Sequence, residues 1–275
     1  MPQDGSQTEL ASWLASFDRI ALVANSSEAS PQQLTALPDG TLFVFFNRVF
    51  KILERPFTRP CVLMVRCADP EPNLVYRREQ DTVLSLLDGG SFNGVIQLRA
   101  ASHERFAGSD AFGAAPVARL DLVEEFQRTY PARSVPTSGY ALAVWLLSYV
   151  PDTTVELCGF SARRMDRYKL FDAHDWTFEQ IVLRTLHANG RLRHYQAASD
   201  DWPLAQALGQ VSPNLPIDPA IVAATLAERL RGTNVLVDRI WSQLKPVRAF
   251  DGWLRKMKPK TRRERIVRRR EDGRD

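Results

Sequence analysis

Three short stretches of this chain combine residue types that could bind an anion and move a proton. The first, from Pro136 to Gly139, is a glycine-bearing turn into a helix, and the second, from Val155 to Phe160, is a buried strand that ends at a loop. The third places His174 just ahead of another helix. A helix start favours negative charge, and a histidine at the mouth of a cleft has the near-neutral pKa that a general base needs.

The first stretch opens the most apolar helix of the chain. Thr137, Ser138 and Gly139 would gather hydroxyls and backbone N–H groups at its positive end, where a phosphate or a carboxylate would be stabilised. An ordinary serine or threonine N-cap explains the same residues equally well.

The third stretch has a helix-start pattern of its own. Thr177 and Gln180 have capping-box spacing, and a glycine follows Asn189, which predicts a helix over 178–189 with His174 in the loop before it. The alternative is a lone surface histidine.

Two further polar groups follow strand-like runs. Asn25 and Ser26 come directly after the first run, and Asn47 and Arg48 end the second. At the carboxyl end of a parallel strand, short polar side chains can reach a ligand in the crevice. The Asn47 amide could contact a base or ribose edge, and Arg48 a phosphate or carboxylate. Turn formation, helix capping and a solvent-facing strand end are the alternatives.

The elements that must position these residues alternate along the chain. Continuous apolar runs, typical of strands buried on both faces of a parallel sheet, lie at 19–24, 41–46, 60–65 and 94–98. Helix candidates lie at 31–37, 78–87, 118–130 and 138–150. This pattern predicts an α/β fold, a Rossmann-like and mostly parallel sheet flanked by helices. The chain has no Gly-x-Gly-x-x-Gly and no Gly-Lys-Ser/Thr loop, which disfavours a dinucleotide enzyme or a P-loop ATPase.

Strand signals stop after Gly190, and the remainder is predicted to be helical, with runs at 220–230 and 235–244. We expect an α/β body at 1–190, a helical part of the same domain at 191–250 and a basic tail at 251–275. The tail holds 11 Lys and Arg against 5 Asp and Glu, whereas the rest holds 25 against 27 and is nearly neutral. The tail could face an anionic membrane surface, or it could be solvated and disordered.

The chain has the features of a cytoplasmic protein. Its longest apolar stretch, 140–150, is about half of the roughly 20 residues that cross a bilayer, and the N-terminus has no export-signal pattern. Cys61, Cys67 and Cys158 lie in strand-like contexts without metal-site spacing, which predicts buried thiols. The localisation that follows is cytoplasmic, and peripheral on the inner membrane if the tail binds lipid.

The order of the motifs resembles that of the eukaryotic-type CMP-sugar-dependent sialyltransferases. The sialylmotifs of that family carry Gly-Asn-Ser followed by Asn, then Pro-x-Ser/Thr-Gly followed by Gly-Phe, then His-x-x-x-x-Glu. The matching residues, within about 19–190 of this chain, are Asn25 and Ser26 with Asn47, Pro136 to Gly139 with Gly159 and Phe160, and His174 with Glu179.

The resemblance implies a role for each matching residue. Asn25 and Asn47 would contact the CMP moiety, and His174 would take the proton from the acceptor hydroxyl. Tyr168 is the nearest counterpart of a His-Tyr element that assists the leaving phosphate, although no histidine precedes it. The site residues that follow are His174, Glu179 and Tyr168 for catalysis and, for donor binding, Asn25, Ser26, Asn47, Arg48, Thr137, Ser138, Gly139 and Phe160.

Two departures from the family pattern stand out. Ala24 occupies the place of the usual glycine, and the helix at 138–150 has no cysteine for the disulfide that joins the first two motifs in the animal enzymes. The missing disulfide suits a bacterial-style cytosolic enzyme.

These observations predict a glycosyltransferase of variant GT-A-like fold. It would move an acidic sugar, sialic acid or Kdo-like, from its CMP ester to a glycan or glycolipid acceptor, with inversion and without a metal or other cofactor. The chain has no Asp-x-Asp motif, and a leaving monophosphate can be stabilised by a helix terminus, a hydroxyl and an arginine or tyrosine.

Two alternatives stay open: a nucleotide- or carbohydrate-binding protein without catalysis, and a nucleic-acid-associated protein that acts through its tail. The confinement of the basic residues to that tail argues against a nucleic-acid groove, so no nucleic acid is expected as a partner.

Overall fold

The computed structural model describes residues 1–3, 6–26, 29, 31–160, 173–188 and 190–194, with single residues and short runs between 223 and 250. The chain divides into two compact units, Met1–Ala223 and Ala224–Asp275. All elements named below belong to the first unit. In the second unit, the described residues 240–243 are helical.

The first unit is built on a sheet of seven parallel strands. Six of them are five to eight residues long and the seventh has two: β1 (Arg19–Val23), β2 (Leu42–Phe46), β3 (Cys61–Arg66), β4 (Phe92–Arg99), β5 (Val117–Asp121), β6 (Thr154–Cys158) and β7 (Arg193–His194). Their spatial order is β5-β4-β3-β2-β1-β6-β7. The chain therefore reverses direction across the sheet at β1, and ligands of open α/β sheets bind outside the carboxyl ends of the strands at such a reversal.

Helices cover both faces of the sheet. They are α1 (Gln7–Leu14), α2 (Pro31–Ala36), α3 (Asn73–Tyr76), α4 (Gln80–Ser85), α5 (Val123–Thr129), α6 (Ser138–Tyr149) and α7 (Trp176–Ala188). Helices α1, α5, α6 and α7 pack on the face that carries Ile20 and Leu22, and α2, α3 and α4 pack on the face that carries Ala21 and Val23. Because successive strand residues point to opposite faces and both faces are buried, the strands have continuous apolar sequences.

The predicted α/β fold with a Rossmann-like parallel sheet is confirmed, and the four apolar runs are β1 to β4. The helix predicted at 118–130 is wrong in its first part, because β5 runs through Asp121 and α5 begins only at Val123. Ala118 and Leu120 are buried while Arg119 is exposed, the period-two pattern of a strand. Pairing with β4 outweighs the intrinsic helix preference of alanine, arginine and leucine.

Helix α1, the short helix α3 and strand β7 were not predicted. Helix α1 begins at a capping box, in which the Ser6 hydroxyl accepts from the Glu9 amide and the Glu9 carboxylate accepts from the Ser6 amide. Strand β7 pairs with β6, so the expectation that no strand follows Gly190 was wrong. A two-residue strand has too little sequence to show a period.

The three cysteines are buried and unpaired, as the prediction of buried thiols requires. Burial raises the pKa of Cys61, Cys67 and Cys158 to about 12 in each case, so all three stay protonated and unreactive near neutral pH. Within the described ranges, no helix is both long enough and apolar enough to cross a bilayer.

Several predictions fall on other parts of the chain. Tyr168 and the basic tail at 251–275 lie outside the described residues, as does most of the helical run expected at 220–230. Of the run expected at 235–244, the described residues 237, 238 and 240–243 are helical. The division into 1–190, 191–250 and 251–275 stays a prediction.

Candidate functional site

Two asparagines tie together the carboxyl ends of the central strands. Asn25, which follows β1, donates its Nδ2 to the Phe46 carbonyl at the end of β2, at 2.5 Å. Asn47, which follows β2, accepts at its Oδ1 from the backbone amide of Arg66 at the end of β3, at 2.9 Å. Asn47 has a φ of 46°, a left-handed conformation that asparagine tolerates better than most residues. Each predicted donor-binding amide thus uses one end of its side chain to hold a neighbouring strand.

The other end of the Asn25 amide is unused. Its Oδ1 is buried and has no hydrogen-bond partner in the part of the chain that the structure describes. A buried carbonyl oxygen without a donor costs about 1–3 kcal/mol relative to the same group in water. A ligand N–H or O–H at the edge of β1 would offset that cost, which is compatible with the donor-binding role predicted for Asn25.

Ser26 lies where the ends of β1 and β6 meet. Gly159, just after β6, has a φ of 75°, and a Cβ built there would lie 3.0 Å from the Ser26 Oγ. Glycine is required at that position because the chain after β1 passes so close to it. The reversal point of the sheet is therefore a place where two backbones approach each other tightly.

Arg48 is engaged by the protein itself. Its Nε donates to the Glu79 carboxylate at 2.6 Å, in a pair whose two side chains are each 29% exposed. Glu79 precedes α4. A donor-binding role for Arg48 would therefore compete with this ion pair, and the role stays a prediction.

Three side chains from different elements hold the segment Val135–Thr137, which leads into α6. The Val135 carbonyl lies 2.7 Å from the His174 Nδ1, and the Pro136 carbonyl accepts from the Arg66 Nη1 at 3.0 Å. The Thr137 amide and hydroxyl both donate to the Glu179 carboxylate, each at 2.7 Å. Two of the motifs that the sequence singled out, Pro136 to Gly139 and His174 with Glu179, thus meet at one stretch of backbone.

This segment ends in the N-cap of α6. The Thr137 hydroxyl accepts from the Tyr140 amide at 3.2 Å while it donates to Glu179. The next two amides, of Ser138 and Gly139, have no hydrogen-bond acceptor among the described residues. Thr137 is therefore an ordinary N-cap, and the first turn of the 12-residue α6 still offers two amides at its positive end.

Glu179 is the centre of a buried polar network. The whole residue is only 3% exposed, so its carboxylate lies almost wholly inside the protein.

 The Glu179 carboxylate accepts hydrogen bonds from three groups of the protein. Its Oε1 accepts from the Tyr130 hydroxyl at 2.8 Å, and that hydroxyl accepts in turn from the Asp175 amide at 3.0 Å. With the two bonds from Thr137, the carboxylate is fully engaged by the protein. These contacts make Glu179 an organiser of the site, and its predicted part in catalysis stays a prediction.

Burial raises the pKa of Glu179 to about 7, against the lowering effect of the hydrogen bonds from Thr137 and Tyr130. The same burial, with the nearby Glu179 charge, raises the pKa of Tyr130 far above its ordinary value. The tyrosine is therefore a fixed hydrogen-bond donor to the carboxylate at every physiological pH.

Helix α7 starts earlier than predicted. The Asp175 carboxylate accepts from the Phe178 amide at 3.1 Å, and the helix begins at Trp176. Asp175 is therefore the N-cap, and the capping box predicted at Thr177 was wrong because Thr177 already lies in the first turn. His174 lies immediately before the cap, as predicted.

His174 is a half-buried imidazole with one nitrogen held by the backbone. Since the Val135 carbonyl can only accept, the Nδ1 carries the proton of the neutral ring and the Nε2 keeps a lone pair. Burial is the main cause that lowers the pKa of His174, and the positive charge of Arg66 lowers it further. A neutral imidazole with a free lone pair is the form that a general base requires.

Arg66 is a site residue that the sequence analysis missed. Its Nε pairs with the Glu104 Oε1 at 2.6 Å, and the two side chains are 15% and 7% exposed. Its Nη2 is buried, and no described residue forms a hydrogen bond with it. The signal was present, because Arg66 directly follows the third apolar run, at the same kind of strand end as Asn25 and Asn47.

Gly139 and Phe160, the two halves of the second motif, pack against each other. A Cβ built at Gly139 would lie 2.3 Å from the Phe160 Cε1, so only glycine lets the ring lie against α6. The ring also meets Phe46 edge-on, with 6.3 Å between the centroids. Gly139 and Phe160 thus lie close together, as the motif implied, and side-chain packing explains their contact. Donor binding by these two residues stays a prediction.

The structure therefore brings together most of the predicted site residues. Those that gather at the start of α6 are Thr137, Ser138, Gly139, Phe160, His174 and Glu179. Asn25 and Asn47 lie along the ends of β1 to β3, which Arg66 connects to α6. Among the described residues, no cluster of three or more His, Cys, Asp or Glu side chains could hold a metal ion.

Comparison with known proteins does not assign a family. The sequence matches no protein-family model, and no curated protein is significantly similar to it.

The network around Glu179 generates a pH prediction. Because the folded pKa of about 7 lies above the ordinary 4.5, the folded protein holds the proton more tightly than the unfolded chain, and the free energy of unfolding falls as the pH rises between these values. We expect a loss of about 3 kcal/mol between pH 4.5 and pH 8 from this group. Glu179→Gln should remove that loss, measured by denaturant unfolding at both pH values.

The exposed Glu124→Gln is the matched control and should follow the wild type. His174 works in the opposite direction, since its lowered pKa makes stability rise with pH, but it is present in all three proteins. Parallel pH curves for Glu179→Gln and the wild type would show that Glu179 is ionised in the folded protein throughout.

Proposed function

We propose that the protein is a glycosyltransferase that moves an acidic sugar, sialic acid or Kdo-like, from its CMP ester to a glycan or glycolipid. The observation that carries the proposal is the contact between the His174 Nδ1 and the Val135 carbonyl. It supports a neutral imidazole beside the first turn of α6, with the proton on the Nδ1 and the lone pair on the Nε2. A proton acceptor next to a positive helix end suits the transfer of a group from an anionic donor.

The proposed reaction is a single displacement. The His174 Nε2 takes the proton of the acceptor hydroxyl, and the acceptor oxygen forms a bond to the anomeric carbon of the sugar. The bond between that carbon and the phosphate oxygen breaks, and CMP leaves with the electron pair. Attack on the side opposite the leaving group inverts the configuration at the anomeric carbon.

The leaving group is a monophosphate, which makes a metal unnecessary in this proposal. The amides of Ser138 and Gly139 at the start of α6, for which the described residues supply no acceptor, can donate to phosphate oxygens. The unpaired Asn25 Oδ1, at the end of β1, can accept from an amino or hydroxyl group of the nucleoside. The variant GT-A-like architecture belongs to the same proposal, supported by a parallel sheet that reverses at β1.

Nucleotide selectivity is the first test. If the donor is a CMP ester, CMP at about 100 times its dissociation constant should stabilise the fold by about 2.7 kcal/mol, which corresponds to about 5–10 °C in Tm for a domain of this size. UDP, GDP and NAD at the same concentration should give much smaller shifts. Equal shifts for all four, or none for CMP, would contradict the proposal.

Replacement of the proposed base is the second test. His174→Ala should lower kcat by about 100- to 10,000-fold, the range for loss of a general base, while the CMP affinity stays within about twofold. The activity of the wild type should rise with pH and level off above the lowered pKa of His174, and the variant should lose that dependence.

The exposed His103→Ala is the matched control for this experiment and should keep full activity. Unchanged turnover in His174→Ala would remove the histidine from the mechanism. CMP binding by a wild type that transfers no sugar to any acceptor tried would favour a non-catalytic nucleotide-binding protein instead.

We also propose peripheral association with the inner membrane through 251–275, on the basis of its 11 basic against 5 acidic residues. Each Lys or Arg near an anionic surface contributes about 1 kcal/mol of attraction. Deletion of 251–275 should release the protein from vesicles that contain phosphatidylglycerol, measured by co-sedimentation at low salt. Vesicles of phosphatidylcholine alone are the control, and equal binding of the full and shortened chains would refute the proposal.

A further inference from the structure

The guanidinium of Arg66 is held in one position with one group left unpaired. Its Nε donates to the Glu104 Oε1 at 2.6 Å and its Nη1 to the Pro136 carbonyl at 3.0 Å. The Nη2 is buried and has no hydrogen-bond partner among the described residues. Since a guanidinium can only donate, this group is suited to an acceptor atom of a ligand.

Glu104 keeps the guanidinium from turning to another partner. Its second oxygen accepts from the amides of Ala100 at 2.8 Å and Ala101 at 3.0 Å, and its side chain is only 7% exposed. A carboxylate fixed by two backbone amides at the end of β4 fixes the arginine in turn. The unpaired Nη2 is thus part of a preorganised arrangement, and its orientation does not depend on a mobile side chain.

The surroundings of Arg66 favour a negatively charged occupant. Its contact with Pro136 places it next to the residues that open α6, where the amides of Ser138 and Gly139 have no acceptor within the described ranges. Arg66 also lies near the proposed base, because Arg66 and His174 contact the adjacent carbonyls of Pro136 and Val135. A fixed arginine beside a helix start is suited to phosphate and carboxylate oxygens.

We infer that Arg66 binds an anionic oxygen of the substrate, from a phosphate or a carboxylate, beside the start of α6. The inference rests on the proposed function, in which the donor carries both groups on one carbon: the anomeric carbon of a CMP-linked acidic sugar bears the sugar carboxylate and the phosphate oxygen. Arg66 then acts as a binding residue that selects donors with a charged group at the reacting carbon.

The experiment compares ligands with and without the anion. Calorimetric titration is carried out with CMP, cytidine, inorganic phosphate and N-acetylneuraminic acid on the wild type and on Arg66→Lys. Lysine keeps the charge but loses the planar fork, so the affinity for the anion that Arg66 binds should fall about 10- to 100-fold. The affinity for cytidine should stay within about twofold, which also verifies that the variant is folded.

Arg99→Lys is the matched control. Arg99 ends the neighbouring strand β4, and its guanidinium nitrogens are bonded to the Glu104 carbonyl, the Asp121 carboxylate and the Ser102 carbonyl. Because it has no such unpaired nitrogen, its replacement should leave all four affinities within about twofold. A fall in CMP or phosphate affinity in Arg66→Lys assigns the phosphate, and a fall for N-acetylneuraminic acid assigns the carboxylate.

The outcomes separate this inference from the proposed function. CMP and N-acetylneuraminic acid binding that is equal in the wild type and Arg66→Lys overturns the inference and leaves the proposed function in place. A wild type that binds phosphate through Arg66 but does not prefer CMP to cytidine supports the inference and contradicts the proposed function. If Arg66→Lys does not fold, a competition experiment on the wild type decides. Phosphate or N-acetylneuraminic acid should displace bound CMP more effectively than it displaces bound cytidine. Equal displacement of CMP and cytidine overturns the inference.

Discussion

The start of α6 depends on a backbone segment whose polar groups are held by three side chains. His174, Arg66 and Glu179 take the two carbonyls and the amide of Val135–Thr137, and they come from the loop before α7, the end of β3 and α7 itself. Backbone carbonyl and amide groups that are shielded from water cannot stay unpaired without a large cost in free energy. The residues that suit chemistry are thus the same residues that keep this turn in place, which is why they converge.

The side chains that hold this segment differ in how many of their polar atoms the protein itself uses. Both carboxylate oxygens of Glu179 and the amide and hydroxyl of Thr137 form hydrogen bonds within the protein. His174 and Arg66 each use part of their capacity and keep one nitrogen for another partner. The spacing His-x-x-x-x-Glu follows from this division, because the two side chains reach successive parts of one segment from one loop and helix start.

The sequence was informative where a local pattern decides the structure. Continuous apolar runs predicted β1 to β4, and the polar residues at the ends of the first two located Asn25 and Asn47. The hydroxyl and glycine before an apolar run predicted the start of α6 within one residue. In these cases the structure depends on residues that are close in sequence, through the periodic burial of side chains and the capping of helix ends.

Contacts between distant residues could not be predicted in this way. Tyr130 and Glu179 are 49 positions apart, and Arg66 and Pro136 are 70 apart, so no local pattern joins them. The strand β5 was mistaken for helix because its own residues prefer helix and only pairing with β4 decides otherwise.

The packing of Phe160 on Gly139 links the size of two distant positions. A methyl group on the helix would occupy the space of the ring, and a smaller residue after β6 would leave a void against α6 and Phe46. Neither position can therefore drift alone in evolution. The pair connects α6, which presents the amides, to the loop after β6 at which the sheet reverses. The distance between helix and loop is therefore set by side-chain packing and not by charge.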